Sequence, residues 1–191
     1  MKLSSTTEEK LKQEVISLLE KGKPNWDIPH TIDSAKWMKR LVEKEGGNEK
    51  ILVSAMYLHD IGYPELEAGY SFKQYMGIKM KHAEKGAAFG DKILRKIGDY
   101  SEDEIKEITF FVLNHDKHDN LETHNRQLVF EADGLAQINW LEVKPSFNKA
   151  DCQRFLDEYF EKERPEERWK TETGKRYRKE LLKKAQQYLM D

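Results

Sequence analysis

A chain of 191 residues is long enough to form one domain with a sizeable core. Its 33 Lys and Arg nearly balance 35 Asp and Glu, for a formal charge of −2, which argues against a general nucleic-acid or membrane-surface binder while leaving room for a local basic pocket. Cys152 is the only cysteine, so no disulfide can form within the chain, and neither a signal-peptide core after MKLSSTTEEKLKQE nor an apolar run of membrane-spanning length is visible, which predicts a cytoplasmic protein with no membrane segment.

Before residue 145 strand-like alternation is missing and helical spacing recurs. Ser5-x-x-Glu8 and Thr6-x-x-Glu9 both read as capping boxes for a first helix with Leu11, Val15, Leu18 and Leu19 on one face, ended by Lys21-Gly22-Lys23-Pro24. Asp27 is the expected N-cap of a second helix, with Pro29 in its first turn and Gly46-Gly47 closing it. His30, Ser34, Met38 or Trp37, and Leu41 share its apolar stripe.

Residues 51–64, ILVSAMYLHDIGYP, are too densely apolar for a half-exposed helix and predict a central helix buried on most sides, stopped by Gly62 and Pro64. His59 and Asp60 sit at its end, where a donor and a charge need partners. Residues 65–80 are aromatic and irregular, reading as a loop with one short helix begun by Ser71-x-x-Gln74, equally suited to a substrate lid or to packed aromatics.

A helix opening near His82 and running to about Ile97 places His82, Gly86, Phe89 and Ile93 on one face, and Gly86, Ala87 and Ala88 allow close approach to a neighbour. Ser101-x-x-Glu104 is a further capping box, and Ile105, Ile108, Val112 and His115 form one stripe. The next helix carries Leu128, Val129, Ala132, Leu135, Ala136 and Ile138, with Asp133 on its apolar side. Beyond Pro145 an amphipathic helix around Phe155, Leu156, Tyr159 and Phe160 and a basic terminal helix are expected, separated by Arg164-Pro165-Glu166-Glu167.

Polar residues thus fall on apolar faces of separate helices: His30, the His59-Asp60 pair, Asp133, and His82 or His115. One buried histidine is usually a core histidine; several imidazoles and carboxylates together make a nitrogen and oxygen site suited to Mn, Fe, Co, Ni or Zn. The order His30…His59-Asp60…Asp133, with the pair ending a buried helix, resembles the HD-domain superfamily of metal-dependent phosphohydrolases. The resemblance spans roughly residues 26–138 and implies an all-α, compact HD-domain helical bundle. One domain over residues 1–191 is expected, with an HD core at about 26–140 and C-terminal helices at 145–191 packed on it. The resemblance also implies one divalent ion held by His30, His59, Asp60 and Asp133. A second ion is implied where family members carry two further histidines, here His82 and His115 in preference to His118 and His124, with Asp60 bridging or orienting. His115-Asp116 and His118-Asp119 repeat the dipeptide in a polar turn, so the dipeptide alone is a weak signal.

The resemblance implies hydrolysis of a small phosphorylated metabolite, above all a nucleotide or related ester, by attack of a metal-activated water, with Asp60 as the catalytic carboxylate. Lys81, Lys85 and Lys117, and less clearly Arg126, are the candidate phosphate partners, each against a surface-lysine reading. Residues 170–176, with hydroxyls and Gly174 before a helix start, form a weak anion candidate. Two alternatives stay open: a di-iron oxygenase of the branch that includes myo-inositol oxygenase, and a non-catalytic binding or sensor domain. Neither a nucleic-acid polymer nor a membrane is expected as a partner; the oligomeric state is left open, a homodimer included.

Overall fold

Residues 1–22, 24–63, 72–119 and 121–190 are described by a computed structural model, and every regular element among them is helical. Helix α1 (Ser5–Leu19) starts one residue earlier than its capping boxes suggest. Ser4 is the N-cap and accepts from Thr7 N at 3.1 Å. Glu8 is drawn away from a capping role by Lys39, whose Nζ lies 2.6 Å from its carboxylate, and by the Tyr57 hydroxyl at 2.7 Å.

Helix α2 (Pro24–Glu45) also begins ahead of expectation. Pro24, not Asp27, takes the start, where a fixed φ is favourable and the missing N–H costs nothing. Asp27 falls in the first turn and Pro29 inside the helix. Gly46 and Gly47 end it as predicted, both at positive φ (87° and 116°), a region open to glycine but strained for other residues.

Helix α3 (Glu49–Leu58) is the hub of the bundle. Each residue from Ile51 to Leu58 is buried, and the helix packs against α1 and α2 and against the three helices that follow it, α4 (Phe72–Ile97), α5 (Glu102–Asn114) and α6 (His124–Ile138). Burial of side chains such as Leu52, Met56 and Leu58 contributes about 1.5–3 kcal/mol each. The helix ends at Leu58, with His59 as its C-cap.

The loop expected over residues 65–80 is corrected in part. Residues 64–71, and with them the Pro64 stop and the Ser71 cap, lie outside the described residues. From Phe72 onward the chain is already α4, a single 26-residue helix, so His82 stands in mid-helix rather than at a helix start. An interior glycine such as Gly77 costs only about 1 kcal/mol, and α4 packs along α5.

Ser101 forms the predicted capping box with Glu104 at the start of α5. The C-terminal part begins with α7 (Lys149–Arg154), capped by Asn148, and runs through a π-helical turn at Phe155–Phe160 into α8 (Glu161–Glu163). Leu156 and Phe160 enter the core, while Phe155 and Tyr159 stay half-buried. Arg164 and Pro165 break the helix, as expected, before a 3-10 turn at Glu166–Arg168 and the terminal helix α9 (Glu172–Met190), which packs on α2, α6 and α7. The weak anion position at residues 170–176 is filled from within: buried Glu131 accepts from Lys170 N at 2.8 Å, Thr171 N at 3.0 Å and the Thr171 hydroxyl. A Cβ at Gly174 would lie 2.1 Å from that carboxylate.

Candidate metal centre

Five elements deliver side chains to one place. His30 comes from the first half of α2, His59 and Asp60 from the end of α3, His82 from α4, His115 from the C-cap of α5 and Asp133 from α6. The approach of α4 depends on Gly62 and Gly86. A Cβ at Gly62 would stand 1.9 Å from His82 O and 2.3 Å from Gly86 N, so only a glycine lets the turn after Asp60 lie directly on α4.

The side chains form two groups, His30, His59 and Asp133, and Asp60, His82 and His115, each with ligand atoms within 4.8 Å of one another. In the first, His30 Nε2 and His59 Nε2 are 3.1 Å apart, and Asp133 Oδ1 is 3.2 Å and 3.6 Å from them. In the second, His82 Nε2 and His115 Nε2 are also 3.1 Å apart. Asp60 joins the groups. Its Oδ2 lies 3.5 Å and 3.3 Å from His30 and His59, and its Oδ1 lies 3.4 Å from both His82 and His115.

Ring orientation shows what the centre can accept. His59 Nδ1 donates to Met56 O and His115 Nδ1 to Val112 O, both at 2.7 Å. A carbonyl oxygen only accepts, so Nδ1 carries hydrogen in each ring, and the neutral ring presents a bare lone pair at Nε2. Those lone pairs face another imidazole nitrogen and carboxylate oxygens at 3.1–3.6 Å. Such a set of acceptors is stable only around positive charge, which a proton or a divalent cation supplies. The backbone-fixed rings are the outer-shell support that metal-binding histidines generally have. The donor set therefore fits a divalent ion in each group, with Asp60 reaching both.

The electrostatics of these side chains agree. Burial disfavours a charged His59, but the neighbouring Asp60 and Asp133 carboxylates outweigh it and raise its pKa well above the ordinary histidine value. Burial works against the charged forms of Asp60 and Asp133 too. The facing histidines, and for Asp133 the Arg164 guanidinium, nevertheless hold both well below the usual carboxylate range.

A pocket opens over the centre, enclosing about 800 Å³ including space open to solvent. His30, Asp60, His115 and Asp133 form its floor, and Trp26, Tyr63, Trp140, Phe147, Phe155 and Tyr159 wall it. The π-helical turn places Phe155 and Tyr159, four residues apart, on this wall while Leu156 and Phe160 go inward. Trp26 stacks on His30 with an interplanar angle of 7°, and Tyr63 on His82 with 5°.

The six ligand candidates come together, whereas the candidate phosphate lysines do not join them. Lys81 and Lys85 are exposed on the face of α4 away from His82 and Gly86. Lys117 is exposed and donates to Asn114 Oδ1 at 3.1 Å. Arg126 donates to Lys117 O at 2.8 Å. Among the described residues no Lys or Arg lines the pocket. His124 bonds Glu45 O at 3.0 Å, and His118 packs edge-on against Phe130, both apart from the centre.

Sequence reasoning missed three residues. Asp116, set aside as part of a polar turn, has Oδ2 at 3.4 Å from His82 Nε2 and 3.6 Å from His115 Nε2. Its signal was adjacency to a histidine ending an apolar stripe. Gln137 donates from Nε2 to both Asp133 oxygens, at 3.2 Å and 3.1 Å, a pairing visible as i, i+4 on one helix. Arg164, read only as a helix break, is buried at 1% exposure and pairs with Asp133 Oδ2; no local pattern announces it.

Among the described residues no helix is long and apolar enough to cross a membrane. No curated protein and no solved structure gives a significant match to the chain. The HD domain family matches residues 28–138, from the first turns of α2 through the end of α6, which takes in all six ligand candidates and more than half of the sequence. The helical bundle, the His-Asp pair closing its buried central helix and this match agree that the chain belongs to the HD domain family.

Proposed function

We propose that the protein hydrolyses a small organic phosphate ester, with a nucleotide as the favoured substrate class, at a centre of two divalent ions. Membership of the HD domain family suggests metal-dependent hydrolase chemistry. The observation that carries the finer reading is Asp60, whose two oxygens face different histidine pairs at 3.3–3.5 Å. Divalent ions of the Mn to Zn series supply Lewis acidity toward a phosphoryl oxygen and acidify a water.

The chain's own contribution is placement. Met56 O and Val112 O hold the His59 and His115 rings so that both Nε2 atoms face inward. Asp60, at 14% side-chain exposure, lies in the centre and opens to the pocket, which suits it to orient the attacking water. The aromatic wall accommodates the organic part of the substrate, and a planar base stacks on it more favourably than a charged chain would. The pocket's lack of lysine and arginine among the described residues favours a substrate of low charge over a polyphosphate.

The test is a screen of the full-length chain, made metal-free and then given Mn²⁺, Co²⁺, Ni²⁺, Mg²⁺ or Zn²⁺, against nucleoside monophosphates and simple phosphate esters. Hydrolysis by the wild type should fall at least about 100-fold in Asp60→Asn, beyond the usual loss on removing an outer-shell partner. Full activity and full metal content in Asp60→Asn would falsify the site.

The same cation-poor aromatic pocket also suits the di-iron oxygenase of the same superfamily, because an uncharged organic substrate needs no phosphate partner. Iron content together with O₂ consumption, and no phosphate release, would decide for that reading.

A further inference from the structure

We propose that Arg164 is the positioning residue for Asp133, and that the C-terminal part of the chain thereby sets the ion affinity of the His30–His59–Asp133 half of the centre and leaves the other half unaffected. This rests on the two-ion reading above. Arg164 lies outside the matched residues 28–138, yet it is 1% exposed and its guanidinium reaches Asp133. It donates to Asp133 Oδ2 and to Phe130 O, and it lies 4.6 Å above the Phe130 ring. Trp169 Nε1 donates to Arg164 O at 3.1 Å, anchoring its backbone.

A buried cation that served only to fill space would be no better than a methionine or leucine there, because desolvating a charge offsets what its pairing gains. The fork geometry of guanidinium supplies direction. With Oδ2 engaged by Arg164, and with Gln137 Nε2 at 3.1 Å from the same atom, the carboxylate cannot rotate freely. Asp133 Oδ1, which Gln137 Nε2 also reaches at 3.2 Å, faces His30 and His59 at 3.2 Å and 3.6 Å. Gly134 belongs to the device. A Cβ there would lie 3.0 Å from both Arg164 Cδ and Trp169 Cη2, so the bare backbone of α6 is what admits the arginine. Among the described residues no bond joins Arg164 to Asp60, His82 or His115, which is why the effect is confined to one half.

The experiment is calorimetric titration of the metal-free, full-length chain with Mn²⁺ or Co²⁺ in two backgrounds. His115→Ala retains the first half, and His30→Ala retains the second. In the His115→Ala background, Arg164→Met should weaken the remaining ion by about 10- to 100-fold, as loss of an outer-shell partner does. Arg164→Lys, which keeps the charge without the fork, should recover part of that loss. Gly134→Ala, which crowds the arginine without removing it, should weaken the ion as well and remains informative if Arg164→Met does not fold. In the His30→Ala background the same substitutions should change affinity by less than about twofold. Unchanged affinity in the first background, or equal losses in both, overturns the assignment while leaving the two-ion reading intact. A wild type that binds no ion overturns both.

Discussion

At the scale of single residues the centre is a contest between protons and cations. The His59 imidazolium gains from Asp60 and Asp133 more than burial takes away, so its pKa is raised in the ion-free fold. Its contribution to stability is therefore complete below the ordinary histidine value and lost as pH rises through the higher folded value. Asp60 and Asp133 have depressed values, so their contribution is present above the ordinary carboxylate range and lost as pH falls through the folded values. Between these limits the raised pKa favours a proton on His59. A divalent ion must displace it, so uptake near neutral pH releases protons and apparent affinity rises with pH. Titration in two buffers of different ionisation enthalpy measures the released proton directly; a buffer-independent heat at pH 7 contradicts the argument. The ligand candidates were legible because a histidine or acid on an apolar stripe stands out against its neighbours. Asp116 and Arg164 were not, since both sit in irregular, charged segments where every residue looks solvated.

At the scale of elements, legibility followed local chemistry. The capping box of Ser101 and Glu104 fixed the start of α5 because both hydrogen bonds are made within four residues. The continuity of α4 was missed: a short helix after Ser71 and a second helix from His82 were expected, and the structure joins them in one run from Phe72 to Ile97. The decisive contact between elements is the one at Gly62. Asp60 and His82 meet because the turn after α3 rests on the α4 backbone, with no room for a Cβ between Gly62 and His82 O. Gly62→Ala should therefore destabilise the chain by about 1–3 kcal/mol or more, as overpacking does. It should also push α4 away from Asp60, so that the His82–His115 ion is lost before the His30–His59–Asp133 ion. Gly90→Ala is the control, because its Cβ meets Leu58 at an ordinary 3.4 Å. Thermal melts and metal stoichiometry on both variants check this; equal behaviour of the two would rule out the close approach as the cause.

At the scale of the molecule, the matched HD segment provides the six ligand candidates, while the C-terminal part provides Arg164 and half of the aromatic wall, including Phe147, Phe155 and Tyr159. That division was only partly visible in the sequence: an extension packed on the bundle could be read from its amphipathic spacing, but not that it closes the site. The whole fold converges on a spot where Asp60 and Asp133, with Asp116 beside them, face four imidazole nitrogens. Two ions held there would tie α2, α3, α4, α5 and α6 to one another. Binding to the folded state alone stabilises it by about 2.7 kcal/mol per site at a hundredfold excess over Kd. For a chain of this length about 1 kcal/mol corresponds to about 2–4 °C in Tm, so one ion should raise Tm by about 5–10 °C and a second by a comparable step. Chelation should reverse both. In Asp60→Asn, which removes the acid facing both histidine pairs, the response to added Mn²⁺ should shrink to a small fraction of the wild-type shift, and its Tm without added ions should fall below that of the wild type, because the ionised Asp60 stabilises the fold at neutral pH. A wild-type Tm indifferent to chelation and to added ions would show that the helices need no such cross-link and that the six side chains serve another purpose.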